Sequence, residues 1–379
     1  MQKKIFTRDF IRGFLGLFSL ASVYHILIPT LPVYLSRLGA TEVEIGILIG
    51  IFCFSSVVFR PIVGRALLKI PEKRMIIAGS FLYTFTSVAY LVAPPFWPFL
   101  IVRVLQGIGF ACYHTASITW ITTISPEDRR GQSLSYFILA FNIPGALAPS
   151  IGMLLINQFN FAVLFLVCLG LSLCSLVVTR QLGSGHAGRS QDSFPEEGRY
   201  LSRKALAPSM VGFFSLFIWG GLTAFFPLYA ISHGVTNPGL FFTTTAIMLV
   251  LGRALCGKLL DMSRRERLVL PCLTTYVISM ALLAFSTTLP MFILVAVILG
   301  IGHAFLVPAM VLYALDRTGS ATGPAMGTFN AVLDLGMSLG PVMMGLVLRS
   351  TSYPIMFLCL AFVGLINFNY FYFFTREKR

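Results

Sequence analysis

RALCGKLLDMSRRER, running from Arg253 to Arg267, lies between two long apolar segments, and RPIVGRALLKIPEKR, from Arg60 to Arg74, repeats its outline. Each stretch opens with an arginine, sets a glycine four residues later (Gly257 and Gly64) and ends in a cluster of bases. A shift of 193 residues carries one onto the other, about half of the 379-residue chain. A basic turn that recurs at half length, with several apolar segments on each side, is the pattern of a duplicated membrane protein.

The composition agrees. The chain is 56% hydrophobic and 11% charged, with a mean hydropathy of +0.84. A soluble domain would carry about a quarter of its residues charged. The net charge of +14 would suit a nucleic-acid binder, but the placement of the bases excludes that class. Of 28 lysines and arginines, 25 fall at the termini or in alternate loops: 3–12, 60–74, 129–130, 180–204, 253–267, 317 and 376–379. Arg37 and Arg349 fall in the opposite loops, and Arg103 lies inside an apolar segment. This asymmetry predicts a multi-pass protein of a bacterial inner membrane with both termini in the cytoplasm. The apolar run after Lys3, Lys4 and Arg8 continues to about Leu35 without a small-residue cleavage site, so it reads as a first span rather than a signal peptide. The seven cysteines lie inside apolar segments, with no CxxC pair and no metal-ligand spacing, and no cofactor is expected. Nucleophile-elbow, zincin, P-loop and dinucleotide motifs are all missing, which argues against an enzyme.

A span needs roughly 20 apolar residues. Twelve segments qualify, at 10–35, 43–66, 75–94, 97–121, 132–156, 160–180, 206–232, 239–260, 268–288, 290–314, 323–348 and 354–375. The polar, Gly/Ser-rich stretch 181–204 reads as a cytoplasmic linker between a six-helix bundle at 1–180 and another at 205–379. The halves match at several places. LPVYLSRLG (31–39) pairs with FPLYAISHG (226–234), aligning Pro32, Tyr34 and Gly39 with Pro227, Tyr229 and Gly234. The GIG at 107–109 pairs with the GIG at 300–302, Pro149 with Pro341, and in that register Asn142 with Asp334. Such parallel halves predict two pseudosymmetric bundles with substrate bound near the midplane.

On these residues the chain resembles the major facilitator superfamily over essentially its whole length, and among its branches the twelve-helix drug and metabolite efflux group. The loop signature Gly-x-x-x-Asp-Arg/Lys-x-Gly-Arg-Arg/Lys is matched by Gly257, Asp261, Arg264 and Arg265. In the first half Gly64, Lys73 and Arg74 remain and Leu68 replaces the aspartate. The fourth-span signature Arg-x-x-Gln-Gly is intact as Arg103, Gln106 and Gly107. The exporter signature of the fifth span is partial, as Gly145, Pro149 and Gly152, with a fuller Gly336, Gly340, Pro341, Gly345 set in the eleventh. The resemblance implies an all-α membrane fold of twelve helices, a monomer, transport by alternating access, and a coupling role for Arg103.

Asp334 is the only carboxylate in the interior of a predicted span, the other thirteen lying in loops, tails or span ends; it sits about ten residues in and so ~15 Å deep. A lone aspartate there costs several kcal/mol unless it faces water, meets a partner or takes up a proton. It therefore reads as a proton carrier or cation-binding group, or else as a structural hydrogen-bonding residue. Asn142, its repeat mate, has the same shape without the titration. Arg103 is equally costly and can hold an anionic or hydroxylated substrate, or pair structurally with Gln106. His25, preceded by Tyr24, and His303 lie at mid-span depth, where an imidazole can pass a proton or bind substrate; a satisfied core histidine is the competing reading for each, and for His114. Trp219, Phe225 and Phe226 are candidates for an aromatic pocket. Arg60, Gly64 and Arg74, with Arg253, Gly257, Asp261, Arg264 and Arg265, form a candidate gate on the cytoplasmic side; topology-setting charge alone also explains most of these bases.

The expected function is a secondary active transporter that moves a small organic compound across the inner membrane by alternating access, as proton-coupled export. Its partners would be the substrate, protons and the lipid bilayer. The alternatives are a facilitator or importer of an anionic solute, and a lipid or amphiphile flippase. A membrane sensor would need a soluble output domain, and the longest hydrophilic stretch is 181–204.

Overall fold

The computed structural model describes residues 5–94, 96–126, 129–183, 203–262, 265–318 and 322–375. Among the described residues the chain forms twelve long α-helices and ends in a short π-helical turn. They are α1 (Arg8–Arg37), α2 (Glu42–Ala66), α3 (Glu72–Val92), α4 (Trp97–Ile124), α5 (Arg130–Gln158), α6 (Phe161–Arg180), α7 (Arg203–Ser232), α8 (Gly239–Met262), α9 (Arg265–Phe285), α10 (Leu289–Thr318), α11 (Thr322–Ser350) and α12 (Tyr353–Tyr370). Ten are long and apolar enough to cross a bilayer, and the described parts of α8 and α9 are shorter apolar helices. Twelve helices of this kind are the fold the hydropathy predicts.

The chain divides into two compact units. The first comprises Met1–Ala40 and Ile51–Arg189, the second Thr41–Gly50 and Ser190–Arg379. The expected boundary near 181–204 falls mostly on residues outside those described. One departure is that Thr41 and the first nine residues of α2 group with the second unit. Within that unit Ser338 Oγ on α11 donates to the Gly50 carbonyl, 3.1 Å away. Gly46 and Gly345 likewise leave no room for a Cβ against backbone of Pro341 and Glu42.

Inside each unit the local structure repeats. α1 ends in a Schellman-type turn: Gly39, at φ 82°, donates to Ser36 and Ala40 donates back to Leu35. α7 ends identically, with Gly234 at φ 79° donating to Ile231 and Val235 donating to Ala230. A positive φ costs glycine nothing, which is why both repeats place one there. Just before each turn a tyrosine packs among aromatic rings of its own unit. Tyr34 meets Phe99, Phe161 and Phe165 in the first unit; Tyr229 meets Phe292, Tyr353 and Phe357 in the second.

Between helices, small and hydroxyl residues let backbones approach, as expected where lipid supplies no hydrophobic drive for association. Gly79 on α3 lies against Gly109 and Tyr113 on α4. Ser80 on α3 reaches Thr179 on α6 at 3.3 Å, and Ser87 accepts from Ser172 at 3.2 Å. In the second unit Asn367 on α12 donates to the Val211 carbonyl and to Ser215 Oγ on α7, at 3.1 and 3.0 Å.

Candidate functional site

In the first unit the Arg-x-x-Gln-Gly run of α4 explains itself physically. Residues three apart on a helix share a face, and Arg103 Nη1 donates to Gln106 Oε1 at 2.7 Å. The Tyr90 hydroxyl on α3 donates to the same oxygen. The guanidinium lies 4.7 Å from the ring centroid of Phe52 on α2, a cation–π contact. Gly107 completes the motif, because a side chain there would collide with Ser55 and the Phe52 carbonyl. The signature thus holds one buried cation, 6% exposed, between an amide and an aromatic face.

Phe52 also belongs to an aromatic cluster around Tyr24. Tyr24 stacks on Phe110 at 5.4 Å and lies 5.5 Å from Phe52 and 5.7 Å from Phe141. His25 meets Phe141 edge-to-face at 4.8 Å. Its ring occupies the space left by Gly145 on α5, where a Cβ would come within 3.1 Å of Nε2. His25 is 8% exposed, and its Nδ1 is buried with no hydrogen-bond partner. His114 stacks on Phe110 at 5.2 Å, stands 5.7 Å from Phe141 and feels the charge of Arg60. Of the sequence candidates in this unit, Tyr24, His25, Arg103, Gln106 and His114 therefore share one cluster. Asn142 sits partly exposed on α5 beside Phe141 in sequence.

The second unit repeats the stack with other chemistry. Trp219 on α7 stacks on His303 of α10 at 5.3 Å and 27°, and Phe242 meets Trp219 edge-on. The Tyr276 hydroxyl on α9 and His303 Nδ1 share a hydrogen bond. His303 stands 193 residues after Phe110, and Tyr276 the same distance after Tyr83, the shift that relates the two basic loops. Where the second unit has a histidine for its tyrosine, the first has a phenylalanine, and the Tyr83 hydroxyl is buried without a hydrogen-bond partner. The contrast has a measurable consequence. Tyr276→Phe should lower thermal stability by about 1 kcal/mol, the usual net worth of one hydrogen bond. Tyr83→Phe should be neutral or slightly stabilising, since it removes a polar group with nothing to bond. Unfolding of the two purified variants in detergent, followed by tryptophan fluorescence, checks both.

Asp334 lies about twelve residues, or ~18 Å, into α11 and is partly exposed, with its Oδ2 turned away from solvent. At 0% exposure the Phe225 side chain is packed into the interior of the second unit. Phe226 joins the packing of Phe241 and Phe292. On the candidate gate, Arg60 is partly exposed toward the end of α2, Gly64 has nothing within 4 Å of a Cβ position, and Arg74 is exposed at the start of α3. The side chains of Arg253, Gly257, Asp261, Arg264 and Arg265 lie outside the described residues.

Sequence reasoning missed Phe52, Tyr90, Phe110, Phe141 and Tyr276. Phe110 carried a usable signal, as the repeat mate of His303.

The Major Facilitator Superfamily family model matches residues 13–270 and 210–379. The staphylopine export protein of Staphylococcus aureus is 26% identical over 85% of this chain and 84% of its own length. The quinolone resistance protein NorA of the same species is 23% identical over 91% and 90%. Among solved structures, the nucleoside transporter NupG superposes with a TM-score of 0.80 at 15% identity, covering 98% of this chain and all of the other, a likeness of fold.

Proposed function

The chain belongs to the Major Facilitator Superfamily of membrane transporters, and from that premise we propose that it exports a small organic compound in exchange for protons. Asp334 carries the reading. Among the described residues it is the one carboxylate deep inside a membrane-spanning helix, it is partly open to solvent, and a carboxylate in that setting is retained for function more often than for stability. Alternating access would present it to each side of the membrane in turn. It would take up a proton on the outside, lose it on the inside, and favour substrate in one of its two protonation states. The name of the staphylopine export protein supports outward transport for that relative, and the proposal extends it to this chain. The protein would act as a monomer in the bacterial inner membrane with both termini cytoplasmic, in line with the distribution of its bases. The test is proton flux into proteoliposomes with an entrapped pH indicator, driven by gradients of candidate compounds. Transport indifferent to a pH gradient, with no proton movement, would overturn the exchange mechanism.

A further inference from the structure

The first unit holds its polar groups in an aromatic setting of one charge sign. Asp9 and Glu72, the carboxylates of its described helices, stand in the first turns of α1 and α3. Three bases reach the aromatic cluster: Arg103 over Phe52, His114 stacked on Phe110, and His25 beside Phe141. A cation embedded among rings, where water is scarce, attracts an anion far more strongly than it would at an aqueous surface. His25 adds a buried ring nitrogen that no group of the protein satisfies, and such a group is costly unless something else bonds it. Tyr24, Phe141 and His114 keep part of their surface open.

We infer that this cluster is a binding site for an organic anion with a flat aromatic body: a carboxylate-type group held by His25 within the field of Arg103, and a ring laid against Tyr24 and Phe141. The inference rests on the transporter reading and names the substrate class for it. Stacked or edge-on ring contacts supply affinity and tolerate varied ring systems, while the bases set the sign of the charge. The second unit, with Asp334, is not required for that choice of sign.

The test is an equilibrium measurement with three probes that share one ring: 1-naphthoate, 1-naphthylmethylammonium and 1-naphthalenemethanol. Binding to the purified full-length protein is followed by calorimetry at a single pH, with no gradient present. Naphthoate should bind at least tenfold more tightly than the ammonium compound, with the alcohol between them. Arg103→Gln should reduce that preference below threefold. His25→Phe, which keeps a ring and loses the nitrogens, should weaken naphthoate severalfold and leave the alcohol unchanged. This second variant serves where the arginine variant does not fold. Arg37→Gln removes an equal charge from an exposed helix end and should leave the preference intact. Equal or tighter binding of the ammonium compound, or binding of none of the three, overturns the site. Because no flux is measured, loss of proton coupling in liposomes with the naphthoate preference intact would sink the exchange reading alone. Coupling without the preference would sink this site alone.

Discussion

Asp334→Asn is expected to cut substrate-driven proton flux at least ~100-fold while leaving a folded protein. The substitution keeps the size and most of the hydrogen-bonding shape of the side chain and removes only its capacity to gain and lose a proton. A carboxylate inside a span costs several kcal/mol when charged; the amide carries none of that cost, so α11 should insert and pack at least as well as before. What disappears is the linkage between protonation and substrate. With the amide fixed in a form like the protonated one, exchange of labelled for unlabelled substrate should persist, whereas uphill transport against a gradient should stop. Asp334→Glu, which titrates but reaches ~1.5 Å further, should recover part of the flux. Proteoliposomes with an entrapped pH indicator and a separate counterflow assay report the two quantities independently. Proton flux unchanged in the asparagine variant would assign Asp334 a structural role and move the coupling to another group. Loss of both flux and counterflow, with a normal elution profile, would place Asp334 in substrate binding alone.

How much of this could be read from the chain itself depends on the range over which each property acts. Span number was legible because bilayer thickness imposes a length on every apolar run. The duplication was legible because its markers are local: a helix-ending glycine with positive φ needs no distant partner to identify it, and Gly39 and Gly234 adopt the same turn. The Asp334 candidate was legible for a similar reason, since depth in a span follows from counting. The aromatic clusters were not. Tyr24 and Phe110 stack across two helices, as do Trp219 and His303, and which faces of helices converge is set by packing that no run of sequence encodes. The grouping of Thr41–Gly50 with the second unit was likewise invisible, since chain order assigns that segment to the first.

Gly340→Val should abolish recovery of folded protein, a larger effect than any polar substitution in the second unit. Two turns of α11 rest directly on the backbone of α7. A Cβ at Gly336 would run into the Phe213 carbonyl, and one at Gly340 into the Phe217 carbonyl, both well inside contact distance. From the opposite side Gly220 on α7 has the Met337 carbonyl of α11 within 2.6 Å of its own Cβ position. The obstacles are main-chain atoms of helices, which cannot rotate aside as a side chain would. Overpacking a core that can adjust costs about 1–3 kcal/mol; here relief requires the two helices to separate along the whole contact, so the cost should exceed that range. Intrinsic preference does not account for such a loss, because valine is a better helix former than glycine. Gly170→Val provides the control: on α6 that glycine is exposed, with nothing within 4 Å of its Cβ position, and the variant should express and elute as the parent does. Size-exclusion profiles of fluorescent fusions in detergent distinguish the outcomes. A monodisperse Gly340→Val peak with unchanged thermal stability would mean that α7 and α11 are not held as closely as these backbone contacts require.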